Sequence, residues 1–193
     1  MREHKVPVTN PGARILDTAS RLFYEQGYHA TGINQIIAEA DVAKASFYHH
    51  FRSKEELCLA YLNQRHQDWF SWLSREVEQH ESPEERLLSL FTFLENWLPA
   101  CDFRGCAFLN ITSEFPASDH EVRTLAANHK RELWEYIRRL VSDVKLSGFG
   151  DDLDSRTDNV YLLFEGAIIS SQVHRSTAFV RVARETIERL IKR

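Results

Sequence analysis

The sequence predicts an all-α protein with about nine helices. A three-helix unit built round a helix-turn-helix comes first, and a larger helical region follows. Three observations carry this. Apolar residues recur at spacings of three and four in almost every segment. Capping residues, prolines and glycines punctuate the segments where helices should start and stop. No stretch alternates apolar and polar residues with the period of a strand.

Asn10-Pro11 opens the first helix, since Pro is tolerated at the first helical position. Ile15, Leu16, Ala19, Leu22 and Phe23 form its apolar stripe, and Gly27 suits a C-cap. Residues 31–57, TGINQIIAEADVAKASFYHHFRSKEEL, organise the rest. Thr31 reads as an N-cap, followed by Ile33, Ile36, Ile37 and Ala40 at helical spacing. Asp41-Val42 breaks that helix, because Asp competes for backbone hydrogen bonds. A second short helix runs from about Ala43 to His50. Phe47 and Phe51 share its inner face, which leaves Ala45, Ser46, Tyr48 and His49 outside, and His50 is expected to pack inward. Ser53 and Glu56 form a capping box ahead of Leu57.

A long helix from Ser53 to about His80 carries Leu57, Tyr61, Leu62, Trp69, Phe70, Leu73 and Val77. At 1.5 Å per residue it spans roughly 40 Å, too long for one small core, so it should join two regions. Ser82-Pro83 starts the next helix and Pro99 marks its end. A short helix lies within 104–115 and Pro116 stops it. Ser118-Asp119 starts a long one reaching about Leu146. The loop SGFGDDLD (147–154) precedes two final helices, about 155–176 and 177–192. Val160–Val173 is apolar nearly all round, so it must be covered on more than one side. The expected domains are 1–54 and 55–193.

No acidic residue lies between Val42 and Lys54, while Lys44, Arg52 and Lys54 are basic. A short helix with a small, polar, acid-free outer face suits a polyanion, and a helix-turn-helix sets such a helix in the DNA major groove. The same geometry also occurs in helical bundles that bind nothing. VAKASFYHHFRSKEEL closely resembles the signature of the tetracycline-repressor (TetR) family of bacterial regulators. ILDTASRLFYEQGYHATGINQIIAEADV resembles that family's first two helices in order and spacing. About 50 residues carry the resemblance. Ala45 stands where the family often has Gly.

By reach, Lys44, Ala45 and Ser46 should meet base edges or phosphates, and Tyr48 and His49 should meet phosphates. Thr31 and Asn34 are placed like the family's other contacts. Lys54 should hold a phosphate at the start of the long helix. The resemblance further implies a homodimer, in which the last two helices of each subunit form a four-helix bundle through Phe164, Ala167, Ile168, Ser171 and Ile187. It also implies a small-molecule effector that releases a repressor from a palindromic double-stranded operator. Trp69, Trp97, Phe108, Trp134 and Phe164 are candidates to line its site, and aromatics at helical spacing serve equally as core. Cys101 and Cys106 flank Asp102 and Arg104 and suggest an alternative, a repressor sensing oxidants or electrophiles through a thiol. Both cysteines also suit plain packing.

Net charge is −4. Residues 1–62 hold seven basic and seven acidic residues, so the deficit lies beyond them and the basic signal is local. The nine histidines make no HxxxH or HxxH with a third ligand nearby, so no metal or cofactor is expected. No nucleophile elbow, phosphate loop or paired carboxylates point to an enzyme. No apolar run reaches the ~18–20 residues of a membrane span. The N-terminus lacks a signal peptide's apolar stretch, so a cytoplasmic protein is expected, and Arg2, His4 and Lys5 form an expected flexible arm.

Overall fold

The computed structural model describes residues 10–117, 120–147, 149–150 and 152–191. The N-terminal arm with Arg2, His4 and Lys5, the helix start at Ser118-Asp119 and Lys192 lie outside the described residues. Among the described residues there are nine α-helices and no strand. They are α1 (Pro11–Gln26), α2 (Ile33–Glu39), α3 (Lys44–His50), α4 (Lys54–Val77), α5 (Pro83–Ala100), α6 (Ala107–Thr112), α7 (Glu121–Ser142), α8 (Leu153–His174) and α9 (Ala178–Ile191).

The starts of several helices follow sequence chemistry. The Asn10 side chain accepts from the Gly12 N–H, and Pro11 occupies the first helical position. Gly27 ends α1 at φ +95°, a region that side chains disfavour. The Glu56 carboxylate accepts from Arg52 N–H at 2.8 Å, one residue ahead of the N-cap, and Ser53 itself accepts from Glu56 N–H at 3.0 Å. Ser82 and Asp152 cap α5 and α8 in the same way. Thr31 does not cap α2. Its hydroxyl donates to the carbonyl of Gly27 at 2.7 Å and the residue is wholly buried, so Gly32 takes the N-cap position. Pro99 sits inside the last turn of α5, which continues one residue further.

Packing divides the chain into two units. The first comprises Met1–Gln67 with Ala107–Ala127, and the second Asp68–Cys106 with Asn128–Arg193. The first is thus wider than residues 1–54 and takes in a segment far along the chain. Its core is Ile15, Ala19, Leu22 and Phe23 of α1, Ile36 of α2, Phe47 of α3, and Leu57, Tyr61 and Leu62 of α4. In the second unit α5, α8 and α9 pack on one another. Helix α5 is buried on most sides through Leu87, Leu90, Phe91, Phe93, Leu94, Trp97 and Leu98, which makes it the central helix there.

The turn between α2 and α3 holds Asp41 at φ +52°. Arg14 donates to the Asp41 carbonyl at 2.8 Å and ties that turn to α1. A left-handed backbone costs a residue with a Cβ about 1–2 kcal/mol, part of which Asp recovers locally. Asp41→Gly should therefore raise stability by about 0.5–1 kcal/mol in urea denaturation, after glycine's extra unfolded-state entropy is counted. A lower midpoint would show that the Asp side chain more than offsets its backbone.

Candidate nucleic-acid interface

Helix α3 is seven residues long and buries one side chain, Phe47. Helix α3 packs on α1 through that buried side, so the face opposite is turned outward. Lys44, Ala45, Tyr48 and His49 are exposed on it and Ser46 is half-buried. Tyr48 is 44% exposed although aromatic, its ring edge-on to Phe47 at 5.2 Å. Asn34 stands exposed on the first turn of α2. His50, expected to pack inward, is exposed instead; its ring lies so near Gly12 that a Cβ there would come within 2.8 Å of Nδ1.

The acidic side chain nearest this face on α2 is already engaged. Glu39 accepts from Gln35 Nε2 at 2.9 Å and pairs with Arg21. The Gln35 hydrogen bond first, and Arg21 second, hold the Glu39 carboxyl below its ordinary range. Six of the eight residues chosen from sequence are therefore exposed or half-exposed: Lys44, Ala45, Ser46, Tyr48 and His49 on α3, and Asn34 on α2.

The other two do not. Thr31 is buried, and its hydroxyl is committed to the Gly27 carbonyl, so it cannot present a side chain to a ligand. Lys54 turns inward. Its ammonium donates to the carbonyls of Tyr28 (3.0 Å) and Thr31 (3.1 Å) and lies 4.1 Å from the centre of the Tyr28 ring. Burial draws its pKa below the ordinary lysine value. The sequence shows that Lys54 begins a helix, and it cannot show that two carbonyls of the preceding turn await its ammonium. Burial also pushes the Tyr28 phenol up to about 12.

That turn has a second neighbour, which sequence reasoning missed. The Glu114 carboxylate accepts from the N–H groups of Tyr28 (2.9 Å) and His29 (2.7 Å). A separation of 86 residues hides this pair from any local pattern.

In the second unit, Trp69 stands edge-on to Phe93 (5.4 Å), Trp97 (6.1 Å), Phe164 (6.4 Å) and the buried His129 (5.3 Å). Three of the five aromatics named for a ligand site, Trp69, Trp97 and Phe164, thus come together. Trp134 does not join them: its indole N–H donates to Asp158 at 2.7 Å and Arg138 lies over its ring. Phe108 belongs to the first unit, near His66. Lys130 and Glu165 form a largely buried pair at 2.7 Å in the second unit. Cys106 is buried, and Cys101, half-buried, donates to the Leu98 carbonyl at 3.3 Å. Cys58, which sequence left aside, is fully buried, and burial pushes its thiol up to about 12.

The residues named for a dimer face need correction. Phe164, Ala167, Ile168, Ser171 and Ile187 are all buried within the chain itself, at 3% exposure or less. The opposite side of α8 is the open one: Leu162, Gly166, Ile169 and Val173 lie exposed at spacings of four, three and four. On α9, Phe179 and Val182 are exposed likewise. A helix apolar on both sides gives no sign of which side faces its own core, and the contacts decide it.

Among the described residues no group of three His, Cys, Asp or Glu is placed to hold a metal. No helix there is long and apolar enough to cross a membrane.

The family profile described as "Bacterial regulatory proteins, tetR family" matches residues 15–61. A second, "Tetracyclin repressor-like, C-terminal domain", matches residues 83–187. The chain is 30% identical over 116 residues to an uncharacterized HTH-type transcriptional regulator of Lactococcus lactis; the match covers 59% of each chain. It is 26% identical over 170 residues to the HTH-type transcriptional repressor DhaR of a Mycobacterium species, covering 84% of this chain and 82% of that one. The crystal structure of a TetR-family regulator from Streptomyces coelicolor superposes with a TM-score of 0.84, 26% identity and 95% coverage of both chains.

The geometry at Lys54 is checkable. Lys54→Met keeps the stem and removes the ammonium, so it should cost about 1.5–3 kcal/mol of stability in urea denaturation, the range for hydrogen bonds to a charged group. The salt dependence of DNA binding should keep its slope. A slope shallower by about one unit would return Lys54 to a phosphate.

Proposed function

The chain belongs to the TetR family of bacterial regulatory proteins, and from that premise we propose that it is a dimeric repressor that reads a palindromic operator and is released by a small-molecule effector. The observation that carries the DNA part is the outer face of α3. Lys44, Ala45, Tyr48 and His49 are exposed and Ser46 half-buried on a helix without an acidic residue, and Asn34 is exposed on α2. Ala45 is short enough to let the helix sit deep in the major groove. Lys44 suits a guanine edge or a phosphate, and Tyr48 and His49 suit phosphates. Repression rests on likeness to proteins named as repressors, DhaR among them.

The exposed apolar stripe of α8, with Phe179 and Val182 of α9, supports self-association. Leu162 is 65% and Val173 72% exposed, at positions where an isolated subunit would leave hydrocarbon in water. A second copy laid across the same stripe makes an isologous four-helix contact, in which Gly166, with nothing within 4 Å of a Cβ position, allows close approach. Two-fold symmetry then demands two half-sites about one helical turn, roughly 34–36 Å, apart.

For the effector, the cluster of Trp69, Phe93, Trp97 and Phe164 supports a flat or aromatic molecule, and the buried Lys130–Glu165 pair offers a polar handle. To lower operator occupancy a hundredfold, the effector must favour the DNA-free arrangement by about 2.7 kcal/mol, and by reciprocity DNA must weaken its binding equally.

Selection from a random duplex library with the purified protein tests the reading, followed by gel shifts on the recovered site. A pseudo-palindrome should emerge, and Lys44→Ala and Tyr48→Ala should each weaken its binding by about 1–3 kcal/mol. Recovery of no preferred sequence would end the DNA reading. In sedimentation, Ile169→Arg should turn dimers into monomers that bind the site far more weakly; a wild-type monomer at micromolar concentration would end the dimer reading.

A further inference from the structure

We propose that Glu114 is a positioning residue for DNA reading: its carboxylate holds the α1–α2 turn in the conformation that sets α2 and α3 for the groove. This rests on the DNA-reading function proposed above, and it assigns a role to a residue outside the helix-turn-helix.

The turn, residues 27–31, joins the scaffold helix α1 to the first helix of the reading pair. Its peptide groups are gripped from two sides. On one side the Lys54 ammonium takes the carbonyls of Tyr28 and Thr31. On the other the two oxygens of Glu114 take the adjacent N–H groups of Tyr28 and His29, at 2.9 and 2.7 Å. Two charge-assisted bonds to consecutive amides fix the orientation of both peptides, which a single bond would not. The backbone of the turn is cut to fit the carboxylate. Gly27 combines φ +95° with a position where a Cβ would stand 3.0 Å from Glu114 Oε1, so any side chain there would be strained and would press on the carboxylate.

Further contacts in the same unit align the segment that carries Glu114. His29 Nε2–H donates to the Glu114 carbonyl at 2.9 Å. The Phe115 ring lies 4.8 Å from that of Tyr28 and is stacked on His29 at 5.8 Å. Arg123 donates to the carbonyls of Thr112 and Phe115, which holds the end of α6 to α7. His120 Nε2 lies 3.3 Å from Glu55 on the first turn of α4. The segment after α6 therefore grips the turn that leads into α2 and touches the start of α4. Withdrawal of the carboxylate would leave two amides to water, which can replace them, so the grip is reversible.

The test uses the full chain, the duplex selected by the wild-type protein and a random duplex of equal length. Glu114→Gln is isosteric; it keeps one acceptor oxygen and turns an NH₂ toward the other amide. Amide hydrogen exchange at Tyr28 and His29 should quicken at least about tenfold while the cores of α1 and α4 stay protected. Affinity for the selected duplex should fall about tenfold, and for the random duplex stay within about twofold, because attraction to phosphates does not depend on how the turn is held. Loss of both affinities in parallel would make Glu114 a merely structural residue and overturn the proposal. Faster exchange with unchanged specific affinity would overturn it too, as would no change in either measurement. A wild-type protein without sequence preference would instead remove the premise, and that outcome is seen before any variant is made.

Discussion

The structure of the first unit depends on how one short turn satisfies its backbone polar groups. Residues 27–31 leave helical geometry and expose peptide groups that cannot all pair among themselves. Thr31 takes the Gly27 carbonyl, Lys54 takes the carbonyls of Tyr28 and Thr31, and Glu114 takes the two N–H groups. A cation from α4 and an anion from beyond α6 thus meet at the Tyr28–His29 peptide, one at its carbonyl and the other at its N–H. Each charge is partly buried, which would be costly if its hydrogen bonds were missing. Given those bonds, α1, α2 and the start of α4 become one body, and the outward direction of α3 follows from the burial of Phe47 against it.

In the second unit the constraint is coverage of apolar surface. Helix α5 is buried on most sides, and α8 and α9 lie against it. Helix α8 turns Val160, Phe164, Ala167, Ile168 and Ser171 inward and still has apolar residues to spare. Leu162, Ile169 and Val173 lie nearly opposite them on the helical wheel and remain in water. A sequence that keeps such residues on a solvent-facing stripe is consistent with a face that is covered in use.

Helix order and most helix starts were legible because they are local. Asn10, Ser53, Ser82, Pro11, Pro83 and Gly27 act within four residues of themselves, and the apolar stripes of α1 to α4 set the first core. Legibility failed where a side chain's use depends on distant chain. Thr31 has the chemistry of an N-cap and of a phosphate ligand, yet the Gly27 carbonyl four residues back claims its hydroxyl. Lys54 has the chemistry of a phosphate ligand and is claimed by carbonyls more than twenty residues earlier. The inner side of α8 was not legible for another reason: the helix is apolar on two sides, so periodicity cannot label one of them inner. Trp134 misled as well, because its N–H gives it a place at a polar seam that Phe would not have.

A protein of net charge −4 meets DNA without the help of a global field. The attraction must come from the face itself, and the fold treats that face accordingly. Lys54 is withdrawn into the turn, which leaves Lys44 and Arg52 as the exposed cations between Val42 and Lys54. Glu39, the acid of α2, is matched by Arg21. What remains is a weakly charged surface of hydroxyls, an amide, imidazoles and one small side chain. Such a surface gains little from phosphates alone, so non-specific binding should be weak and its salt dependence shallow. Discrimination then rests on geometry, because short-range contacts are made only when the helices sit at the correct angle and depth. This is why a few hydrogen bonds in a turn that never faces DNA can matter to reading it: with little long-range attraction in reserve, the orientation of α2 and α3 carries the affinity.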